Sequence, residues 1–352
     1  MNFSKFVLAM VGVVAVSAGL SRAQPFTAFN ISNDAANSIN ARTDGRYVVW
    51  SSLENGAVDV LGRDLLLGQP LTVANTSALE GAPAISNGTV VWEEFTPGTA
   101  SSLIRGRSLP AGAPFVVTNN PLASAPSISG NLVVWHQADS PLAIWGRRLN
   151  QPIGSDFQIS GAAPFDQQFP DVDGDTVVWE SFMEPGGDVG NIYGRRLSIG
   201  GAFPITTNPE NQHFARISGE NVVWMDSRDG GSRIYGKNLV TGIEFPISSA
   251  DFSAESPAID GDLVVWKQNN ADFSNTEIYG RFLSVGDAFP ITNTAGIFED
   301  RPDVIGNLVV WQQSPTGADN DIWGTYVPEP GTAAMAMMIG VVMLARRRGR
   351  GQ

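Results

Sequence analysis

The chain has 352 residues, 38 glycines, 22 prolines, no cysteine and a formal charge of −13. The missing cysteine excludes disulfides, thiolate-held zinc, iron–sulfur clusters and thiol nucleophiles. Without the basic residues of both ends and Glu329, the middle holds 16 basic and 34 acidic residues, about −18. Such a surface repels nucleic acid and anionic membranes and suits solubility, divalent cations or cationic partners.

Residues 1–23 read MNFSKFVLAMVGVVAVSAGLSRA. Lys5 precedes an apolar run from Phe6 to Leu20, and Ser21 and Ala23 are small residues flanking Arg22. This order predicts a secretory signal peptide, cut before Gln24.

From there the chain is periodic. Trp50, Trp92, Trp135, Trp179, Trp224, Trp266 and Trp311 follow one another at spacings of 42 to 45 residues. Each period carries four short strand-like phrases. The first, such as PSIS at 126–129 or PAID at 257–260, begins nine residues before the tryptophan. The second is Val-Val-Trp, apolar on both faces, as expected of a strand between two layers. The third runs IWGRRL (144–149) or IYGRRL (192–197), and the fourth FPIT (203–206) or FPIS (245–248). Gly130-Asn131, Gly174-Asp175 and Gly261-Asp262 join the first two phrases, where a tight hairpin needs positive φ. The glycine of the third phrase, Gly194 for example, is expected to lie under the tryptophan of the neighbouring strand.

The last period stops at IWGTYV (322–327) without a fourth phrase, while FNIS (29–32) precedes the first period. The count closes if the N-terminus completes the last set. A β-pattern of this period predicts an all-β, seven-bladed β-propeller of four-stranded blades over 24–327, closed by the N-terminal strand. A β-solenoid or open array is the alternative. The phrase order resembles the TolB-type propeller repeat, in which PxxSPDG precedes an apolar strand and an IY strand; here ISGN stands for SPDG. That resemblance implies the fold and leaves function open, since such propellers bind, scaffold or catalyse.

Chemistry is sparse. His136 and His213 are the two histidines; they read as ordinary polar residues, with no Gly-x-Ser-x-Gly or His-Glu-x-x-His motif around them. DVDGD (171–175) has the alternating aspartates of a calcium loop but falls on a hairpin turn, so calcium is an open cofactor question and no other cofactor is expected. The segments entering the first strands carry Glu80, Gln167, Gln212, His213, Glu255, Glu299 and Asp300. These are expected to gather at the channel mouth, where they could hold a cation or sugar hydroxyls, or supply an acid/base pair. DSRDGGSR (226–233) reads as a charged hairpin tip.

At the C-terminus Pro328-Glu329-Pro330 precedes fifteen apolar or small residues (331–345) and Arg346, Arg347, Arg348 and Arg350. Fifteen helical residues span roughly 22 Å, short for a bilayer core of about 30 Å. The arginines are expected to stay cytoplasmic. The tail, residues 327–352, resembles the PEP-CTERM sorting signal. That resemblance implies export, an inner-membrane anchor, recognition of Pro328, Glu329 and Pro330 by an exosortase-type enzyme, and final placement at the cell surface or outside. It also implies a setting of exopolysaccharide. The combined expectation is a non-catalytic binding or scaffold module of the envelope or matrix, with polysaccharide or a surface protein as partner and no nucleic acid. A polysaccharide hydrolase or lyase, or a protein-interaction hub, are the alternatives.

Overall fold

The computed structural model describes residues 26–330, apart from 35, 100, 162–164, 183–188, 271–273 and 316–318. The segment expected to be a signal peptide and the apolar C-terminal segment lie outside the described residues. Within them, seven antiparallel sheets of four strands form a seven-bladed β-propeller, one blade per tryptophan period. Blade 1 runs through Asn37–Thr43, Tyr47–Glu54, Ala57–Asp64 and Gln69–Ala74. Blades 2 to 6 repeat the order, with first strands Leu79–Ser86, Ala123–Ser129, Gln167–Asp173, Gln212–Ser218 and Ala254–Asp260. Blade 7 takes Ile297–Ile305, Leu308–Pro315 and Asp321–Tyr326, and its outermost strand is Phe29–Asn30 from the N-terminus. The first strands contact one another around the ring and wall the central channel.

Each repeated phrase has a task between blades. In Val133-Val134-Trp135, Val133 and Trp135 join a core with Val91, Ile104 and Val117 of blade 2, whereas Val134 joins Val177 and Trp179 of blade 4. A strand apolar on both faces is therefore sandwiched on both faces. Seven such cores sit between seven pairs of blades.

Polar residues of the phrases strap blade to blade. The Ser129 hydroxyl accepts from the Gly174 N–H of the next hairpin at 3.0 Å. Asp44, Ser86, Asp173, Ser218 and Asp260 do the same for Gly88, Gly130, Gly219, Gly261 and Gly306. Only at the blade 7–blade 1 junction does Ile305 stand where the acceptor would be. In the third phrase, Arg195 donates to the carbonyl of Ile159 (2.7 Å) and Arg281 to that of Ile247 (3.1 Å), each on the outer side of the preceding blade. The hydroxyls of Ser160, Thr206, Ser248 and Thr292 in the fourth phrase accept from the N–H of Ile144, Ile192, Ile234 and Ile278.

Six of the seven third-phrase glycines lie under the fourth strand, not under the tryptophan as the repeat suggests; Gly62 instead abuts Val48 and Val49 of the neighbouring second strand. Gly194 pairs with Val178, and a Cβ there would meet Ile205 at 2.9 Å and Phe203 at 3.4 Å. The isoleucine and phenylalanine of FPIT, not the indole, occupy the space a side chain would need.

Candidate functional site

All seven first strands carry the same irregularity. Ten residues before each tryptophan, the register shifts and the backbone turns left-handed: Asn40, Ala82, Ala125, Phe169, Phe214, Ser256 and Arg301 have φ between 47° and 57°. Non-glycine residues rarely adopt this region, and bulky ones least. Each such bulge costs on the order of 1–3 kcal/mol unless the surroundings enforce it.

The surroundings do so at four junctions. The side chain just after a tryptophan reaches the bulge of the next blade and accepts its N–H. Glu180 Oε1 takes the N–H of Phe214 at 2.6 Å, Gln312 Oε1 that of Asn40 at 3.0 Å, Glu93 Oε2 that of Ala125 at 3.3 Å, and His136 Nδ1 that of Phe169 at 3.4 Å. The bulge holds Phe169 and Phe214 at the channel mouth on neighbouring blades, 44% and 47% exposed. The His136 ring meets Phe169 edge-on at 5.6 Å, and His213 lies 6.2 Å from Phe214 and 6.3 Å from Phe182. The result is an aromatic crescent across blades 3 to 5.

The acids and amides expected at this mouth divide by position in the strand. Glu80, Gln167, Gln212 and Glu299 lie within the first three residues of their first strands, twelve residues before the tryptophan, and are buried between blades. The Gln212 amide oxygen accepts from the Thr206 hydroxyl at 2.9 Å, and the Gln167 amide donates to the Gly161 carbonyl at 3.3 Å. The Thr76 hydroxyl donates to Glu80, and the Thr292 hydroxyl to Glu299. Burial pushes the carboxyls of Glu80 and Glu299 upward. Only Glu255, Asp300 and His213 reach the rim. Lys267 Nζ sits 2.7 Å from Glu255 and 3.8 Å from Asp300, which compensates both. His213 Nδ1 is 3.0 Å from Glu180.

DVDGD is a hairpin whose aspartates are all occupied. Asp171 accepts from Ser127 and the Ile217 N–H, Asp173 from the Gly219 N–H, and Asp175 from the Ser198 N–H. Among the described residues no group of three or more His, Asp or Glu side chains is placed to hold a metal ion.

Ser124 and His136 form the pair that most resembles catalytic machinery, with Oγ 2.7 Å from Nε2. Its polarity is inverted. Nδ1 accepts the Phe169 N–H, so the ring proton is on Nε2 and faces the hydroxyl. A serine nucleophile needs an unprotonated nitrogen there. Burial also pushes His136 down to about 4, so the ring is a neutral brace for the bulge. A second concavity of about 410 Å³ opens between blades 1 and 2. Its charges are spent internally: Arg105 pairs with Glu94 at 3.0 Å, and Arg107 binds the carbonyls of Thr72 and Val73.

No protein-family model matches the chain, and no curated protein matches it by sequence. Solved structures share its fold. The β-propeller domain of the Trilobed protease from Pyrococcus furiosus, described as having an open velcro topology, aligns with a TM-score of 0.64 at 12% identity over 86% of this chain and 97% of its own. A puromycin-hydrolyzing peptidase of Mycobacterium tuberculosis aligns with a TM-score of 0.64 at 12% identity, over 83% of this chain but 51% of its own. The chain thus spans about half the length of that peptidase. A putative TolB from Agrobacterium tumefaciens aligns at 16% identity and a TM-score of 0.50, over 76% of this chain and 97% of its own. These comparisons correct the functional expectation drawn from the sequence. The matrix scaffold, the polysaccharide enzyme and the interaction hub give way, because the propellers this one resembles come from peptidases and a TolB-like protein, none described as acting on polysaccharide. At these identities the likeness establishes the fold alone, a seven-bladed β-propeller.

Proposed function

We propose that the chain is a peptidase-type propeller that engages a polypeptide segment at the mouth of its central channel. The observation that carries this reading is the pair of exposed phenylalanines, Phe169 and Phe214, held in left-handed bulges on adjacent blades. Folding would favour asparagine or glycine there. Large aromatic side chains at such sites fit selection for contact, and they suit apolar side chains of an extended peptide. Hydrolysis, where it occurs, belongs to groups outside this aromatic mouth. The test is peptide affinity of the purified chain and of its F169A/F214A variant. The variant should bind an apolar peptide about tenfold or more weakly, at about 1–3 kcal/mol per aromatic anchor, with no loss of melting temperature. Equal affinity would reject the mouth as the binding surface.

The address is part of the same proposal: a signal peptide at 1–23, the propeller at 24–327 and a sorting signal at 328–352. Pro328, Glu329 and Pro330 are exposed directly after the third strand of blade 7, where a sorting enzyme can reach them. Among the described residues no helix is long and apolar enough to cross a membrane; the candidate span at 331–345 lies outside them. With alanine at 328, 329 and 330, cell fractionation should find the protein held in the inner membrane. An unchanged distribution would discard the sorting role.

A further inference from the structure

We infer that Arg42 and Arg216 form a carboxylate-binding site inside the central channel, which receives the free C-terminal carboxylate of a polypeptide whose preceding side chains rest on Phe169 and Phe214. The polypeptide half rests on the reading of the mouth given above; the carboxylate half stands on the channel alone.

Eight residues before each tryptophan, the first strands present their next channel-facing position after the bulge. Blades 2, 3 and 6 place small residues there, Ala84, Ser127 and Ala258. Blades 1 and 5 place Arg42 and Arg216, and blades 4 and 7 place Asp171 and Asp303. The pairs are loose. Arg42 Nη1 is 3.8 Å from Asp303 Oδ1, and Arg216 Nη1 is 3.9 Å from Asp171 Oδ1, too long for hydrogen bonds. Both aspartates already have closer donors. Asp303 accepts from the Thr43 N–H at 2.9 Å, and Asp171 from the Ser127 hydroxyl at 2.9 Å and the Ile217 N–H at 3.0 Å. Neither guanidinium has a hydrogen-bond acceptor among the described residues, although each carries five N–H donors.

The two cations stand at the same step of the first strands of blades 1 and 5, each beside an aspartate of a neighbouring first strand. Arg42 and Arg216 come from blades on opposite sides of the ring, yet the Arg216 charge acts on Arg42. Burial pushes Arg42 down to about 10; the Arg216 charge adds to that, while Asp303 and Asp171 oppose it. Arg301, at the bulge of blade 7, adds a third positive charge. Arg301 itself donates to Asn40 Oδ1, so in a body of about −18 the unspent donors of the channel are those of Arg42 and Arg216.

The ligand class is set by geometry and charge. A guanidinium fork matches the two oxygens of a carboxylate. Asp171 and Asp303 beside it disfavour a doubly charged phosphate. The site lies two residues along the strand from Phe169 and Phe214, roughly 7 Å, about the reach of two residues of an extended chain.

The test is calorimetric titration of the purified chain with three probes: the pentapeptide Ala-Phe-Ala-Leu-Phe as free acid, the same peptide as C-terminal amide, and sodium acetate. The free acid should bind about tenfold more tightly than the amide. The R42M/R216M variant should lose that ratio and keep the affinity for the amide. R42K/R216K keeps both charges and loses the forks, so it should fall between the two, and it serves if the methionine variant does not fold. If acid and amide bind equally well, the carboxylate site is overturned and the mouth stands. If acetate binds through the arginines and neither peptide form binds, the carboxylate site stands and the polypeptide assignment falls. If no probe binds, both fall.

Discussion

Replacing Ile31 with aspartate opens the ring. Only one strand closes this propeller, and it is two residues long: Phe29 pairs with Gly324 and Asn30 with Trp323. Ile31 and Ser32 supply the rest of the latch. The Ile31 N–H donates to the Ile322 carbonyl at 2.7 Å, and the Ser32 hydroxyl accepts the Ile322 N–H at 3.0 Å and donates to Asp321 at 2.9 Å. The Ile31 side chain is fully buried with Ala41, Val48 and Trp50 of blade 1 and Leu308, Val310 and Ile322 of blade 7. It also fills the space over Gly324, where a Cβ would lie 2.8 Å from its Cδ1. An isoleucine lost from such a site costs about 2–5 kcal/mol, and a buried unpaired carboxylate adds to that. For a propeller this large the expected fall in melting temperature is about 10 °C or more. Protease should then cut first between residues 26 and 34. The opposing possibility is a ring that holds without its latch. An unchanged melting curve and an intact N-terminus would place this chain in that class.

The ring is legible in the residues because its repeat is written in side chains with a single packing solution. Val-Val-Trp apolar on both faces, Gly-Asn at the hairpin and a missing fourth phrase balanced by FNIS leave little freedom. The mouth is not legible, for a specific reason. Strand alternation assigns each residue a face only while the register is unbroken. The left-handed residue ten places before the tryptophan breaks it, and nothing in Phe169-Pro170 or Arg301-Pro302 advertises positive φ. Glu80, Gln167, Gln212 and Glu299 therefore read as loop residues at the rim, although the first strand has already begun and turns them inward. The signal that could have located the bulge is the residue after the tryptophan. Glu93, His136, Glu180 and Gln312 are polar at a point where the run is otherwise apolar, and each is spent on a neighbour's bulge N–H.

The inward acids carry the second large prediction. Glu299 and Glu277 meet between blades 6 and 7 around the Thr292 hydroxyl, which lies 2.8 Å from Glu277 Oε2. Glu277 also accepts from Asn275 Nδ2 at 2.9 Å and the Thr294 N–H at 3.0 Å. Glu299 Oε1 is buried and has no hydrogen-bond donor. Burial first, then the charge of Glu277, pushes Glu299 up to about 8, and burial pushes Glu277 up as well. Two carboxyls in this space hold one proton between them at neutral pH. That proton sets the sign. Unfolded, Glu299 releases it near 4.5; folded, it keeps it until about 8. The native state binds more protons throughout that window, so stability falls as pH rises from about 4.5 to about 8 and levels off above. The slope is at most about 1.4 kcal/mol per pH unit, a few kcal/mol in all. Glu299→Gln should flatten most of the slope and raise the melting temperature at pH 8, with little change at pH 4.5. The fold itself indicates that the amide is accommodated, because the equivalent position of blade 5 is Gln212, hydrogen-bonded to Thr206 as Glu299 is to Thr292. Melting curves of both proteins from pH 4 to 9 decide it. Parallel curves would mean that the proton is not held at Glu299, and convergence toward acid pH would place it there. The Asp59–Glu80 pair at the blade 1–blade 2 junction, where both carboxyls are also raised by burial, should leave a residual slope that Glu80→Gln removes in turn.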